Sequence, residues 1–540
     1  MKTQDTEKNP TPDSPWSPFH YPLFKMLWIT STISNIGTWI HEVGAAWLMT
    51  TLTSNPLWVA LIQAATSLSI FLLALPGGAL ADILDRRIYL IGLQTFMMII
   101  AGTLALTTFS GKITPDLLLF LTFCLGIGTA LSTPTWLTLM TELVSPKDLP
   151  PAVTLIGLSI NLSRAIGPAL GGLIIAASGP AAVFALNALS FFAIIISLFG
   201  WQRTPQESLL PGERLFGAMR AATRYVRGSP AFQILLIKSS AFFVFASGVW
   251  ALLPLVARSN LHSGPLGYGL LFGAFGSGAV LGVFILPKLQ EKLNCDRLIL
   301  TGAFGFAITT FVLAFTSNFY CAFGGMLLGG ISWTFVLSTL TTLAQQVVST
   351  WVRARALAVF LAVFFGGMAF GSVLWGWIAF HFTISIALFI AGIGLIIANF
   401  LTYTFTSGQK LIFDFTPSGH SPAPIPAENP RYEQGPMMIT IEYSLDHHQI
   451  ENFYQVMQDL RTIRLREGAF FWNLFQDIEN PKKFIECFMV ESWLDHLRQH
   501  ERMSIADRDI QDKASRFHKG NAPPRVTHFI AYEAPKKEKL

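Results

Sequence analysis

The sequence predicts an all-α membrane protein of twelve transmembrane helices, arranged as two parallel six-helix repeats, with a small cytoplasmic α+β domain at its C-terminal end. Three observations carry this. Charge is sparse and unevenly spread: 13% of the 540 residues are charged, against about 25% in soluble domains. Residues 1–412 hold 21 Lys+Arg and 13 Asp+Glu, about 8% of positions, whereas residues 413–540 hold 16 and 19, about 27%. The low-charge part also breaks into apolar runs of the length, roughly 20 residues, that a helix needs to cross the hydrocarbon layer. Finally, it repeats itself at an offset of 204 positions, which matches Gly78 with Gly282, Gly126 with Gly330, Ser145 with Ser349, Ala152 with Ala356, Gly167 with Gly371 and Gly172 with Gly376. Two parallel halves with a substrate path between them are a transporter architecture.

The elements follow in order. Residues 1–22 are polar and rich in proline (Pro10, Pro12, Pro15, Pro18) and lack the basic, apolar and small-residue order of a secretory signal, so they read as a cytoplasmic tail. The expected spans are 23–50, 57–80, 88–110, 117–143, 152–178 and 181–201 in a first bundle, and 231–257, 267–289, 297–317, 319–347, 355–380 and 383–406 in a second bundle that ends at 410. Breaks such as Asn55-Pro56, Thr114-Pro115 and Gly179-Pro180 carry turn chemistry. In the connector, 202–230, Phe216, Met219, Thr223 and Val226 lie opposite Arg220, Arg224 and Arg227. That suits either a helix lying on the inner leaflet or a plain basic connector.

Charge placement sets the orientation. With the N-terminus inside, seventeen Lys and Arg fall on the cytoplasmic side, and only Lys112 and Arg258 on the outer side. Such a bias requires an even helix count and puts both termini in the cytoplasm. The net charge of +5 is therefore topology and gives no reason to expect nucleic acid as a partner. Cys124, Cys295, Cys321 and Cys487 show neither a disulfide framework nor zinc spacing. No nucleotide-binding or nucleophile-elbow pattern is present. We expect no cofactor, no metal and no catalytic residues.

The segment 411–436 is rich in Pro, Gly and Ser and reads as a linker. Beyond it Met437, Ile439, Ile441, Tyr443 and Leu445 alternate as in a strand, and Ile450, Phe453, Met457 and Leu460 recur at helical spacing. Two apolar runs, Phe470–Phe475 and Phe484–Val490, precede a charged helical stretch, Leu494–Phe517, and a last strand, Val526–Tyr532. The order β-α-β-β-α-β over 437–533 is that of a ferredoxin-like domain. His496 and His500 stand four residues apart on one helix face, a spacing that can hold a metal but lacks a third ligand; otherwise they belong to a solvated polar face.

Four constellations are candidates for function. Gly78, Asp82, Arg86 and Arg87 surround the turn after the second span, where small-residue packing and charged helix ends can hold one conformation of a rocking pair. Asn161, Arg164, Gly167, Pro168, Gly171 and Gly172 lie on the fifth span, with small residues for close packing and a proline kink. Arg164 is near mid-membrane, where a charge needs a cavity or a partner. It either contacts substrate or gates a proton site, or it ties to Asn161 and a neighbouring helix. Asn35, His41 and Glu42 on the first span complete a candidate proton and substrate site with Arg164. Glu42 either couples proton entry to transport or sits in the outer headgroup region without a role. Lys238 reads as a snorkelling topological charge. Gln63, Gln94, Asn187, Gln345 and Gln346 either line a polar cavity or bond between helices.

The Gly78-x-x-x-Asp82-x-x-x-Arg86-Arg87 run resembles the signature of the major facilitator superfamily. Gly167-Pro168-x-x-Gly171-Gly172 resembles the fifth-helix motif of its antiporters and exporters. With Ser34-Asn-Ile-Gly37-Thr-Trp39, Asn55-Pro-Leu-Trp58 and Leu75-Pro-Gly-Gly78, these motifs make the first 410 residues resemble the enterobactin-exporter-like, or transmembrane secretion effector, branch. The resemblance implies a secondary transporter of the bacterial inner membrane that uses the proton gradient to export a small amphipathic molecule such as a siderophore, drug or secondary metabolite. Its partners would be the lipid bilayer, protons and a small-molecule substrate. His41-Glu42 departs from the pattern. Glu491-Ser-Trp493-Leu-Asp-His496 and the residues after it resemble tails of the antibiotic-biosynthesis-monooxygenase type. Soluble members of that type pair sheet to sheet, which implies a homodimer through this domain. A membrane-anchored oxygenase-like protein or a ligand-binding sensor acting through the tail is the alternative reading.

Overall fold

The computed structural model describes residues 14–200, 225–348, 352–404, 434–502, 505–520 and 522–531. Twelve long helices are found among them: α1 Pro22–Leu52, α2 Pro56–Ile83, α3 Arg86–Phe109, α4 Pro115–Glu142, α5 Leu149–Ser178, α6 Pro180–Phe199, α7 Pro230–Leu255, α8 Pro265–Gln290, α9 Cys295–Phe315, α10 Phe319–Gln346, α11 Arg353–His381 and α12 Ile384–Tyr403. Eleven spans are apolar and long enough to cross a membrane. The remaining helix, α1, is diluted by Lys25, His41 and Glu42. Most of the expected connector and linker, residues 201–224 and 405–433, lies outside the described residues.

The boundaries have local causes. Pro22, Pro56, Pro115, Pro180 and Pro265 sit at the first helical turn, where a missing N–H costs nothing. Asn55 Oδ1 accepts from Leu57 N (2.9 Å), Asp85 from the amides of Arg87 and Ile88 (3.0 Å each), and Thr383 Oγ1 from Ile386 N (3.1 Å). Each bond satisfies a free helix-end donor. Gly179 joins α5 to α6 at φ +79°, a conformation open to glycine and strained for other residues.

Packing reproduces the repeat read from sequence. A Cβ on Gly126 of α4 would meet Ser69 of α2, and one on Gly330 of α10 would meet Phe275 and Ala279 of α8. Gly167 of α5 abuts Trp39 and Ile36 of α1, and Gly371 of α11 abuts Val244 and Ser247 of α7. Gly172 of α5 lies on Pro265 and Gly269 of α8, and Gly376 of α11 lies on Leu57 and Ala60 of α2. Each offset pair thus joins the same two helices of its half, or the same kind of cross-half pair. Small residues at these points let helix backbones approach, the usual basis of packing where lipid removes the hydrophobic drive.

The described residues form two compact units. The first contains α1–α6 and most of α7–α12. The second contains the C-terminal domain with the short ends of α7, α10 and α11. In the C-terminal domain β1 Met437–Ser444, α13 Ile450–Arg466, β2 Phe471–Gln476, β3 Lys483–Val490, α14 Trp493–Arg502, α15 Ile505–Arg516 and β4 Arg525–Ile530 follow in sequence. All pairings are antiparallel and the strand order is β2-β3-β1-β4. The helical stretch expected over 494–517 is helix over Trp493–Arg502 and Ile505–Arg516, with 503 and 504 outside the described residues. Met437, Ile439, Ile441 and Tyr443 face a core shared with Phe453, Met457 and Leu460 of α13. Within that core the fully buried Glu486 carboxylate accepts from Arg464 Nε and Trp472 Nε1, both at 3.0 Å. Burial works against the Arg464 charge, yet Glu486 more than offsets it and holds the guanidinium above its ordinary range. The other sheet face exposes Phe471 and Phe529, with Met438 and Met489 between them in register.

Candidate functional site

One stripe of α1 organises the first half. Trp28, Ser31, Asn35, Trp39 and Glu42 recur every three or four residues, which stacks them on a single face. Trp39 meets α5, where the guanidinium of Arg164 lies 5.7 Å from its ring centroid. It also meets α8, where Phe272 packs edge-on at 5.7 Å. Arg164 is midway along α5, partly buried, and its Nε has no hydrogen-bond partner. Glu42, one turn beyond Trp39, feels the charge of Arg164 and lies near Tyr268 of α8 without an ion pair to either.

The α5–α8 seam explains the fifth-helix motif. Gly167 and Gly171 face α1, where added Cβ atoms would come within 2.5 Å of Trp39 and 3.1 Å of Ile40. Gly172 faces α8, where a Cβ would approach Pro265 O to 2.5 Å. From the other side, Cβ atoms on Gly269 and Gly276 would approach Pro168 O and Arg164 O, both to 2.5 Å. The two halves therefore touch backbone to backbone along α5 and α8. At the end of the bundle where α1 terminates, Arg258 donates to the carbonyl of Thr50 and ties the halves once more.

The sequence-predicted residues separate into several places. Glu42 and Arg164 are near enough for each to feel the other's charge, without an ion pair. Asn35, seven residues before Glu42, faces a cavity instead. His41 turns to α6: its ring is 4.8 Å from Phe184, it is 4% exposed, and neither ring nitrogen has a partner among the described residues. Asn161 donates to Gly157 O in its own helix (2.9 Å) and does not hold Arg164. At the other end of the bundle Arg86 pairs with Glu142. Arg87 donates to the carbonyls of Leu198 (3.1 Å) and Phe199 (2.7 Å), which caps α6 with a positive charge. Gly78 and Asp82 are on α2, but their surroundings lie outside the described residues.

The cavity has a volume of ≈ 180 Å³ and lies among α1, α3, α4, α5 and α6. Its walls combine hydroxyls, the amides of Asn35 and Gln94 and the rings of Trp28 and Trp136 with a larger apolar surface that includes Met97, Leu137 and Ile156. Among the described residues, several positions of the second half that match cavity-lining positions of the first carry packed aromatic rings. Trp333, which stands at the repeat offset from the cavity-lining Thr129, packs against Trp250 (5.3 Å), Phe243 (5.5 Å), Phe242 (5.8 Å) and Phe306 (5.9 Å). Phe242 and Phe364 stand at the offsets of Thr38 and Ile160, two further cavity residues.

Three features escape sequence reasoning. Lys238 does not snorkel: it is 2% exposed and pairs with Asp296 at the start of α9. Asp148 accepts from Ser17 (2.6 Å), Tyr21 (2.8 Å) and Ser145 (2.9 Å) and so anchors the segment before α1 to the α4–α5 turn. His496 is buried against Trp493 and, at 4.9 Å, His528, not on a solvated face. For Lys238 the usable signal is an acidic helix start nearby in space, which a linear sequence does not display.

Twelve helices in two like halves, with a cavity of mixed polar and apolar lining in the first, are the architecture of a polytopic transporter. Solved structures share this fold. A bacterial homologue of the human lysosomal transporter Spinster, inward-facing and unoccupied, matches 72% of this chain and 97% of its own with a TM-score of 0.58 at 15% identity. The nucleoside transporter NupG matches 71% and 98% with a TM-score of 0.55 at 12% identity. The family profile described as transmembrane secretion effector matches residues 13–536, and the chain belongs to that family of major facilitator transporters. Among curated relatives, the staphyloferrin A transporter of Staphylococcus aureus is 22% identical over 394 residues, 72% of this chain and 97% of that protein. The enterobactin exporter EntS of Salmonella choleraesuis is 25% identical over 394 residues, 71% and 91% of the two chains. These relatives are transporters, not enzymes.

Proposed function

We propose that this protein is a proton-coupled secondary exporter of a small amphipathic molecule of the siderophore or secondary-metabolite kind, working by alternating access with both termini in the cytoplasm. The observation that supports the reading is the α5–α8 seam, where the halves meet backbone to backbone at Arg164 and Gly172, with Glu42 on the neighbouring α1 within reach of the Arg164 charge. Protonation of Glu42 removes its attraction to Arg164, and that changes the balance between a closed and an opened seam. The names of the curated relatives support a siderophore-like cargo, and the seventeen-to-two bias of basic residues supports the orientation. The Gly78 to Arg87 turn acts in this reading as a conformational latch.

The deciding experiment compares export, read as cargo accumulation inside everted membrane vesicles, with and without a pH gradient, using culture metabolites that accumulate in a deletion strain as cargo. Efflux that collapses with an uncoupler, and that loses its pH dependence in Glu42→Gln, supports the reading. Efflux indifferent to both removes it. For the C-terminal domain we propose a ferredoxin-like module of the monooxygenase type that pairs two copies through the row of exposed Phe471 and Phe529 and half-buried Met438 and Met489. Mass photometry of the full chain in nanodiscs tests this, since Phe471→Glu should convert a dimer to a monomer.

A further inference from the structure

Beyond the reading above, and resting on it, we propose that the cavity inside the first six-helix half is a subsite for one uncharged, ring-sized group of the cargo that both donates and accepts hydrogen bonds. Volume sets the size. A cavity of about 150 Å³ accepts benzene, so ≈ 180 Å³ accommodates one substituted six-membered ring.

The lining sets the chemistry. Gln94 is 5% exposed, lines the cavity, and its Oε1 has no hydrogen-bond partner. A buried amide left without a partner costs free energy that a ligand donor recovers. Asn35 lines the same space, and its side-chain amide makes no hydrogen bond among the described residues. The hydroxyls of Ser132 and Thr133 donate to Thr129 O at 3.2 and 2.7 Å, which leaves their lone pairs free to accept. Trp28 and Trp136 supply aromatic faces, and the Trp28 indole N–H is fixed to Leu155 O at 2.8 Å. No lining residue is ionisable. A carboxylate placed here would have no counter-charge, a heavy cost in a low-dielectric space.

Aromatic residues distinguish the matching positions of the second half. The repeat positions of Thr38, Thr129 and Ile160 carry the packed rings of Phe242, Trp333 and Phe364.

The test uses the full chain in nanodiscs and two single-ring probes at pH 7, neutral resorcinol and anionic benzoate, read by saturation-transfer NMR. Saturable resorcinol binding at least about five-fold tighter than benzoate is expected, weakened about five-fold in Gln94→Met and in Asn35→Leu, each of which removes one hydrogen-bonding amide. Equal binding of the two probes, no saturable binding, or binding unchanged in both variants overturns the proposal. If one variant does not fold, the other decides. The readout is binding and not flux. Transport with unaltered binding in both variants sinks the subsite alone, whereas probe binding lost in the variants of a chain that moves no cargo sinks the transport reading alone.

Discussion

The Arg164 guanidinium stands 5.7 Å from the ring centroid of Trp39, with α1 and α5 drawn together at Gly167 so that the contact can form. A cation on an aromatic face is worth about 1–2 kcal/mol where water is excluded. That geometry turns a costly mid-membrane charge into a positioned one. Arg164→Lys keeps the charge but moves and reshapes the cation over the ring, and should lower the transport rate about ten-fold with little change in thermal midpoint. A rate within two-fold of the parent would show that the stacking has no functional part.

The backbone contact of Gly172 with α8 should be intolerant of side chains. Gly172→Val forces carbon into a gap where even Cβ would approach Pro265 O to 2.5 Å. Overpacking of this kind costs about 1–3 kcal/mol, so the seam should open. Electron–electron resonance distances between spin labels on α5 and α8 check this, and an unchanged distribution would contradict it.

Arg258 should act as a latch. Its donation to the Thr50 carbonyl joins the two halves, and its charge suits the C-terminal end of α1. Loss of one such bond, about 1 kcal/mol, should raise the open population about five-fold in Arg258→Ala, read in the same distance measurement.

The aromatic plug should be a stability element. Trp333→Ala removes the hub of the cluster and should destabilise the fold by about 3 kcal/mol, measured by unfolding in mixed micelles. Thr129→Trp at the matching position should do the converse, filling the cavity and abolishing efflux while the chain still folds.

In the C-terminal domain His528 is held below the ordinary histidine range by burial. A base whose folded value is depressed takes up its proton more readily when unfolded, so the unfolded state binds more protons as the pH falls below about 6.5. Domain stability should therefore decline from pH 7 to 5. His528→Gln should flatten the decline, followed by limited proteolysis of the tail in the full chain.

Much of this architecture is visible in the linear sequence because it rests on local chemistry: apolar length, prolines at helix starts and glycines at a fixed offset. Gly126 and Gly330 were legible as a repeat, and the structure gives both the same packing task. The candidate site was legible in part. Neighbours on a helix diverge by about 100°, so His41 and Glu42, adjacent in sequence, face different helices. The stripe Asn35, Trp39, Glu42 carries the readable signal. Partners that meet only through tertiary packing, such as Lys238 with Asp296 or Arg258 with Thr50, leave no periodic trace.

The exchange of Thr129 for Trp333 between otherwise matching halves has a mechanical consequence. A half packed solid with interlocking rings resists deformation and moves as a block, while a half with internal space can breathe around what it holds. If the first half holds cargo as proposed, the duplicated chain would act as a strut and a socket, and grafting the first half onto a second copy of itself would yield two sockets with no ring-packed partner to turn against.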